Sequence, residues 1–436
     1  MLDVALQTNV AKVPITPRII PRSGHIISRA NIDERALKVL YRLNNAGFHA
    51  FLVGGSVRDL LLGREPKDFD VATDALPEQV RELFRNCRLI GRRFRLAHVH
   101  FGRDIIEVAT FRGADTAEED GRVLTEDGRI LRDNVYGNID NDAWRRDFTV
   151  NALYYNIEDF SVVDYVGGMD DIKAGQIRVV GNTQQRFRED PVRMLRAVRF
   201  AVKLGFSIHP QTATPIFELA PLLSEIPPAR LFEEILKLFL GGCAVQTFAQ
   251  LRHYGLFGQL FPQVEACLSE EEGGFPHMFL ARALQNTDRR IAERKPVTPA
   301  FLISALLWDP MRRLAEEHRA HELSPAEADQ LASDTVISQQ IARIAMPRRY
   351  TQMTREIWAL QPRLTRRAGG TPFRLLSHPR FRAAYDFLVL RAEAGEDVTE
   401  LAAWWTEFQG ANEVRRDELI SVASKTAPAK RRRRRR

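Results

Sequence analysis

The sequence predicts an α+β protein in which a mixed strand–helix region precedes a long all-α stretch. Short apolar runs alternate with helical patterns up to about residue 160, whereas from about residue 185 helical periodicity dominates and β-rich runs disappear. The length of 436 residues exceeds one ordinary core and, at roughly 100 to 200 residues per domain, calls for two to four domains.

Residues 1–30, with Pro14, Pro17 and Pro21 among scattered arginines, have no sustained periodicity and are expected to form an irregular arm. Asn31 followed by Glu34 has the spacing of a capping box, and Leu37, Leu40 and Leu43 then recur at helical spacing until Gly47. Next come a strand from Ala50 to Val53, a helix from Val57 to Leu62 and a strand from Asp68 to Thr73. A helix from Pro77 to Asn86 and strands His98 to Phe101 and Ile105 to Phe111 follow. Residues 113–134 are polar and rich in Gly, Asp and Glu, the composition of a flexible excursion. Gly241-Gly242 and Gly273-Gly274 are candidate breaks in the helical part, and residues 411–436 fade into a charged tail.

Composition narrows the class. Hydrophobic residues at 44% and charged ones at 27% are those of a packed globular protein. No apolar run reaches the ~18 residues of a membrane span, and the N-terminus lacks a secretory apolar stretch. The three cysteines, Cys87, Cys243 and Cys267, have no CxxC spacing, so neither a disulfide framework nor a zinc ribbon is encoded and a reducing cytoplasm fits. The formal charge of +7 resides in the run Lys430, Arg431, Arg432 through Arg436, which leaves the rest of the chain neutral. Such a run repels itself and is suited to polyanions, RNA above all, although a solubilising or localising tail has the same composition.

The chemistry concentrates in two places. Gly54-Gly55-Ser56-Val57-Arg58-Asp59 leaves a strand and opens a helix, a geometry that lets backbone N–H groups approach phosphate oxygens; a plain tight turn reads the same way. On the next strand, alternation puts Asp68 and Asp70 on one face, about 7 Å apart, with Phe69 and Val71 on the other. Two adjacent anions are costly without a cation, so a divalent metal is implied. A pair of Mg²⁺ ions held roughly 3.5 to 4 Å apart would activate a hydroxyl and neutralise a leaving pyrophosphate. Glu107 interrupts an otherwise apolar strand and is a candidate third carboxylate, with an edge-strand charge as its alternative. His98 and His100 share a strand face, but no third ligand is placed to complete a zinc site.

The run Leu52 to Asp59 with Asp68-Phe69-Asp70 resembles the class II nucleotidyltransferases, which comprise tRNA CCA-adding enzymes and bacterial poly(A) polymerases. Arg145-Arg146-Asp147-Phe148-Thr149-Val150-Asn151-Ala152, Asp164 to Asp171, and Glu189-Asp190-Pro191-Val192-Arg193 are similar to further blocks of that family, in the same order, so that the resemblance spans about residues 50 to 240. It implies a polymerase β-like nucleotidyltransferase head with a short mixed sheet over 31–160, a helical neck with the base-recognition motif over 161–240 and a helical, RNA-binding body over 241–410.

By resemblance, Asp68 and Asp70 bind the metals, while Gly54, Gly55 and Arg58 hold the triphosphate. Glu107 and Asp147 both remain candidates for the third acid. Arg146 or Arg145 would contact nucleotide, although a domain-joining ion pair is equally compatible. Asp190-Pro191 also has the form of a helix start, yet the resemblance implies that Asp190 and Arg193 read the base, with Arg196 extending the basic stripe. Asp only accepts hydrogen bonds and Arg only donates them, which suits the amino donor and ring-nitrogen acceptor of adenine or cytosine and leaves guanine and uracil unpaired. That pair cannot separate ATP from CTP.

Leu89 to Val99, with Arg92, Arg93 and Arg95, resembles the block of bacterial poly(A) polymerases, as does Ile226 to Glu234. The expected reaction is template-independent addition of AMP from ATP to RNA 3′ ends with release of pyrophosphate, by a monomer. A CCA-adding tRNA nucleotidyltransferase and a non-catalytic RNA-binding protein that retains the fold are the alternatives. Arg348 to Arg382, interleaved with Trp358, Phe373 and Phe381, are compatible with an RNA track or with an ordinary helical bundle; Trp404 and Trp405 have the character of packing residues. If the basic run is an electrostatic arm, truncation after Lys425 should weaken RNA binding mainly at low salt, so that the slope of log affinity against log salt becomes shallower. An unchanged slope in a filter-binding titration would reject that role.

Overall fold

In the first unit, β-branched and aromatic runs of three to seven residues assemble one mixed sheet. The computed structural model describes residues 16–91, 95–113, 122–124, 130–133, 135–269 and 278–426, and the chain divides into units 1–219 and 220–436. The strands and helices of the first part are β1 (Arg18–Ile20), α1 (Glu34–Asn45), β2 (Ala50–Val53), α2 (Gly55–Leu61), β3 (Asp70–Thr73), α3 (Pro77–Leu83), β4 (Cys87–Ile90), β5 (Leu96–Phe101) and β6 (Asp104–Thr110). They continue with β7 (Arg122–Leu124), β8 (Ile130–Asp133), α4 (Ile139–Arg145), β9 (Leu153–Asn156), β10 (Val162–Asp164), α5 (Gly168–Ala174), α6 (Thr183–Glu189) and α7 (Val192–Leu204). The eight-stranded sheet has the order β1-β10-β9-β2-β3-β6-β5-β4. Among its described strands only β3 and β6 run parallel.

Alternation along the strands splits the sheet into two apolar faces. Leu52, Val71, Val108 and Leu153 join Ala36, Val39, Leu40 and Leu43 of α1 in the main core, so the leucine spacing read from the sequence is the buried stripe of that helix. Val53, Ala72, Phe111, Ala143 and Tyr154 form a smaller cluster on the opposite face. A thin apolar layer there leaves that face free to carry polar chemistry.

Several local expectations change. Asp33, not Asn31, caps α1, with its carboxylate accepting from Arg35 N at 2.7 Å, because Asn31 is taken up in a short 3-10 turn. The arm is not wholly irregular, since β1 pairs antiparallel with β10 as an edge strand too short to show alternation. Cys87–Ile90 is a further strand, at the opposite edge of the sheet. Within 113–134, β7 and β8 pair as a short antiparallel ladder. In the tail region Glu413–Thr426 is helical; Lys430, Arg431 and Arg432 lie outside the described residues.

The second unit is helical. Trp358 and Phe381 are buried, with Trp358 Nε1 donating to Ser304 O at 3.2 Å, and the fully buried Trp405 donates to Leu364 O at 2.9 Å. These aromatics are core, so of the residues interleaved with the arginines only Phe373 is exposed, at 37%. Among the described residues no helix is long and apolar enough to cross a membrane.

The Asp164 to Asp171 block is a structural corner. The Asp164 carboxylate accepts the backbone N–H groups of Val166, Gly167, Gly168 and Met169 at 2.9 to 3.0 Å, turning the chain from β10 into α5. A Cβ on Gly168 would lie 2.3 Å from the Thr149 carbonyl oxygen. Gly168→Ala therefore forces backbone apart and should lower unfolding stability by about 1–3 kcal/mol, read as a shift of the urea midpoint at constant slope; an unshifted midpoint would contradict the close approach.

Candidate active site

Cross-strand register builds the site. Tyr154 faces Val53, Val53 faces Asp70, Asp70 faces Glu107, and Glu107 faces His98. The row crosses β9, β2, β3, β6 and β5, and paired residues project to the same side of a sheet. Glu107 is thus on an interior strand, which removes the edge-strand alternative. A His98 ring nitrogen lies 3.3 Å from Glu107 Oε2, and the His98 and His100 rings are 6.4 Å apart.

The two aspartates of the sequence motif stand differently from the alternation reading. β3 begins at Asp70, so Asp68 lies ahead of the strand and is exposed, while Asp70 is half-buried. Burial, reinforced by the charge of Glu107, pushes the Asp70 carboxyl up to about 6; Arg146 pulls the other way and Asp68 adds to the rise. Among the described residues no three His, Cys, Asp or Glu side chains gather as a metal cage. A hard cation that keeps water and binds one or two carboxylates together with nucleotide phosphates suits an all-oxygen pair such as Asp70 and Glu107.

Beside this row sits the glycine turn. Gly54 has φ of +76° and caps the N-terminus of α2, a conformation that glycine alone adopts readily. Arg58, which the resemblance implies holds the triphosphate, is 3% exposed beneath the turn. Its guanidinium donates to Asn151 Oδ1 at 2.6 Å and to Asp59 Oδ1 at 2.7 and 2.9 Å. A Cβ on Gly55 would lie 3.5 Å from Arg58 Nη2, so the side chain supports the turn from below.

Arg146 is the arginine that meets the turn from the other side, with Nη1 3.5 Å from the Cβ position of Gly54. It is held by Asp142 at 2.8 and 3.1 Å and by the Tyr154 hydroxyl oxygen at 2.9 Å, and it lies over the Tyr154 ring. The Tyr154 hydroxyl donates to Asp142 at 2.6 Å. Arg145 turns away and donates to Gly113 O. Asp142 and Tyr154 were not singled out from the sequence, although Asp142 stands four residues before Arg146, the spacing of a helical ion pair.

Asp190 and Arg193, which the resemblance implies read the base, lie at the α6–α7 corner. The helix boundary falls one residue later than expected, with Pro191 as N-cap, although Asp190 still accepts from Val192 N at 3.3 Å. Arg193 bonds Glu189 at 3.1 Å and the Arg186 carbonyl at 2.6 Å. Arg186, also not singled out, clamps the Arg145 and Arg146 carbonyls and pairs with Glu189. Arg196, three residues after Arg193 on α7, pairs with Asp147. Of the basic loop, Arg92 and Arg93 lie outside the described residues, and Arg95 pairs with Glu78 at 2.6 Å.

Asp147 is saturated. Oδ1 accepts Phe148 N at 2.8 Å and Asn151 Nδ2 at 3.2 Å, and Oδ2 accepts the Arg196 guanidinium. Burial alone would raise this carboxyl, but the charge and hydrogen bonds of Arg196, with Asn151 and Phe148, hold it at about 2, below the ordinary 3.8. A depressed folded value stabilises above the unfolded one and loses that stabilisation as pH falls through the folded one. The stability advantage of the wild type over Asp147→Asn should thus be constant above about pH 4 and shrink between about pH 4 and 2. Urea denaturation across that range tests it, and a constant difference down to pH 2 would refute the assignment.

Comparison with known proteins follows the same outline. Residues 50–178 match a family model described as the poly(A) polymerase head domain. Residues 205–268 match a probable RNA- and SrmB-binding site of polymerase A, and 321–436 match the polymerase A arginine-rich C-terminus. Poly(A) polymerase I of Salmonella typhi is 52% identical over 422 residues, covering 95% of this chain and 90% of that one. A CCA-adding enzyme of Lactobacillus helveticus is 40% identical over 214 residues, 49% of this chain and 52% of that one. A solved tRNA-processing enzyme in its apo form shares the fold, with a TM-score of 0.60 at 22% identity over 92% of this chain and 99% of that one. With half its residues shared along almost the whole of both chains, this protein belongs to the bacterial poly(A) polymerase I family of polynucleotide adenylyltransferases.

Proposed function

We propose that the chain adds AMP from ATP to RNA 3′ ends without a template, releasing pyrophosphate, with Mg²⁺ as its metal. The carrying observation is the half-buried Asp70 beside Glu107 on the parallel strand pair, next to the glycine turn. ATP as the substrate is supported by likeness to a poly(A) polymerase along nearly the whole chain, against about half the chain for a CCA-adding enzyme. Three free thiols are consistent with work in the cytoplasm.

In this reading the RNA 3′-oxygen forms a bond to the α-phosphorus as the bond to pyrophosphate breaks. Asp70 and Glu107, with Asp68, would hold Mg²⁺, which when bound lowers the hydroxyl pKa and offsets charge on the triphosphate, two ions dividing that work. Glu107 is preferred to Asp147 as the third acid because the oxygens of Asp147 are already taken by Arg196, Asn151 and Phe148 N. The backbone of Gly54 and Gly55 receives the phosphates, with Arg146 fixed by Asp142 and Tyr154 to meet developing charge. Arg58 keeps the turn in shape. Asp190 and Arg193 read the amino and ring-nitrogen edge of the base, and Glu189 holds Arg193 in place.

Purified protein, a short RNA, Mg²⁺ and each NTP separately should give a long ladder with ATP alone. A fixed short addition using CTP and ATP would mark a CCA-adding enzyme. Asp70→Ala and Glu107→Ala should each lower the extension rate on the order of a thousandfold with the circular-dichroism melt retained. Unimpaired extension by either variant would overturn its assignment, and biological activity that survives Asp70→Ala would point to a non-catalytic RNA-binding role.

A further inference from the structure

A closed circuit of side chains joins the glycine turn to the helix that carries Arg193. From the turn, Arg58 donates to Asn151 Oδ1 at 2.6 Å, and Asn151 Nδ2 donates to Asp147 Oδ1 at 3.2 Å. Asp147 Oδ2 accepts Arg196 Nε at 2.9 Å, and the guanidinium carbons of Arg196 and Arg58 each stand 5.3 Å from the centre of the Phe200 ring. Arg199 lies 4.8 Å from the same centre, and Phe148 packs against it edge-on at 5.6 Å.

Each link is chemically directional. The Asn151 amide turns its oxygen to a cation and its nitrogen to an anion, so neither a carboxylate nor an aliphatic group of the same size makes both bonds. Asn151 is 7% exposed and Arg58 3%, which leaves little water to substitute for a lost partner. The Phe200 ring draws in three guanidinium groups that would otherwise repel one another, at distances within the usual ~6 Å range of cation–π attraction. Along α7, Arg196 follows Arg193 by three residues and Phe200 follows Arg196 by four, so the three lie along one side of the helix. The circuit therefore fixes the rotation of that side relative to the turn.

We propose that Asn151 and Phe200 are positioning residues that couple the phosphate-binding turn to the base-reading helix, so that triphosphate affinity and base discrimination change together. The proposal rests on the reading of Gly54-Gly55 and Arg193 given above. Neither residue touches nucleotide; both act through Arg58 and Arg196.

The test uses the full chain and the variants Phe200→Leu, Phe200→Tyr, Asn151→Ala and the Phe200→Leu/Asn151→Ala double. Calorimetry gives affinities for inorganic tripolyphosphate, ATP and GTP, and primer extension gives the ATP-to-GTP ratio of kcat/KM. Phe200→Leu and Asn151→Ala should each lower that ratio on the order of tenfold and weaken tripolyphosphate binding several-fold. Phe200→Tyr, which keeps the ring, should retain the wild-type ratio, and the double variant should lose less than the product of the single losses. Variants that melt earlier but keep the wild-type ratio would overturn the coupling and leave only a packing role; so would losses that multiply. Because the calorimetric arm needs no turnover, a wild-type protein that failed to extend RNA would sink adenylyl transfer while the coupling was still measured.

Discussion

Asp70 and Glu107 face each other across the parallel β3–β6 pair, and most of the first unit's polar architecture answers to that placement. Parallel strands carry residues in fixed register, so once Val71 and Val108 enter the main core the two acids must share the other face. There Ala72 and Phe111 give a thin apolar floor, and the half-burial that follows is what pushes Asp70 up to about 6. The sheet thus stores electrostatic tension at one point, which a bound cation relieves. A site of this kind favours a metal that arrives with its own phosphate ligands over one caged by protein.

Positive charge around that point is immobilised. Arg58 is held by Asp59 and Asn151, Arg146 by Asp142 and Tyr154, Arg193 by Glu189, and Arg196 by Asp147. Each acid that orients an arginine also neutralises it in the resting protein, which allows several guanidinium groups to crowd beside one turn. Under the proposed function, side chains already fixed would lose little freedom when nucleotide enters, so their interaction with developing charge would not be spent on ordering them.

The sequence made the sheet-bearing region, the helical remainder, the glycine turn and the α1 stripe legible because each rests on a local signal: period two, period 3.6, or a residue with positive φ. The strand that starts at Asp70 was legible for the same reason. Partner choice was not, because it is settled by contacts distant along the chain. Nothing near Arg58 in the sequence shows that its guanidinium meets Asn151, 93 residues on. Likewise, nothing in the sequence shows that Arg193 meets Glu189 across the α6–α7 corner. Strand β1 is three residues long, too short for any pattern, and exists only because β10 offers an open edge. Trp358 and Phe381 sit among arginines in sequence and inside the helical core in space.

The contrast between Glu107 and Asp147 shows why acidity in a family block does not by itself assign a role. Both are carboxylates near the same row, and both occupy plausible positions in sequence. Asp147 receives donors on each oxygen and is driven down to about 2, a group stabilised as an anion by the protein itself. Glu107 has a histidine nitrogen at 3.3 Å and an unfavourable neighbour in Asp70, whose own carboxyl it helps to push up. A carboxylate already satisfied gains little from a cation, whereas two that destabilise each other gain most. On that ground our proposal puts Glu107 with the chemistry, while Asp147, through Arg196, ties its segment to α7.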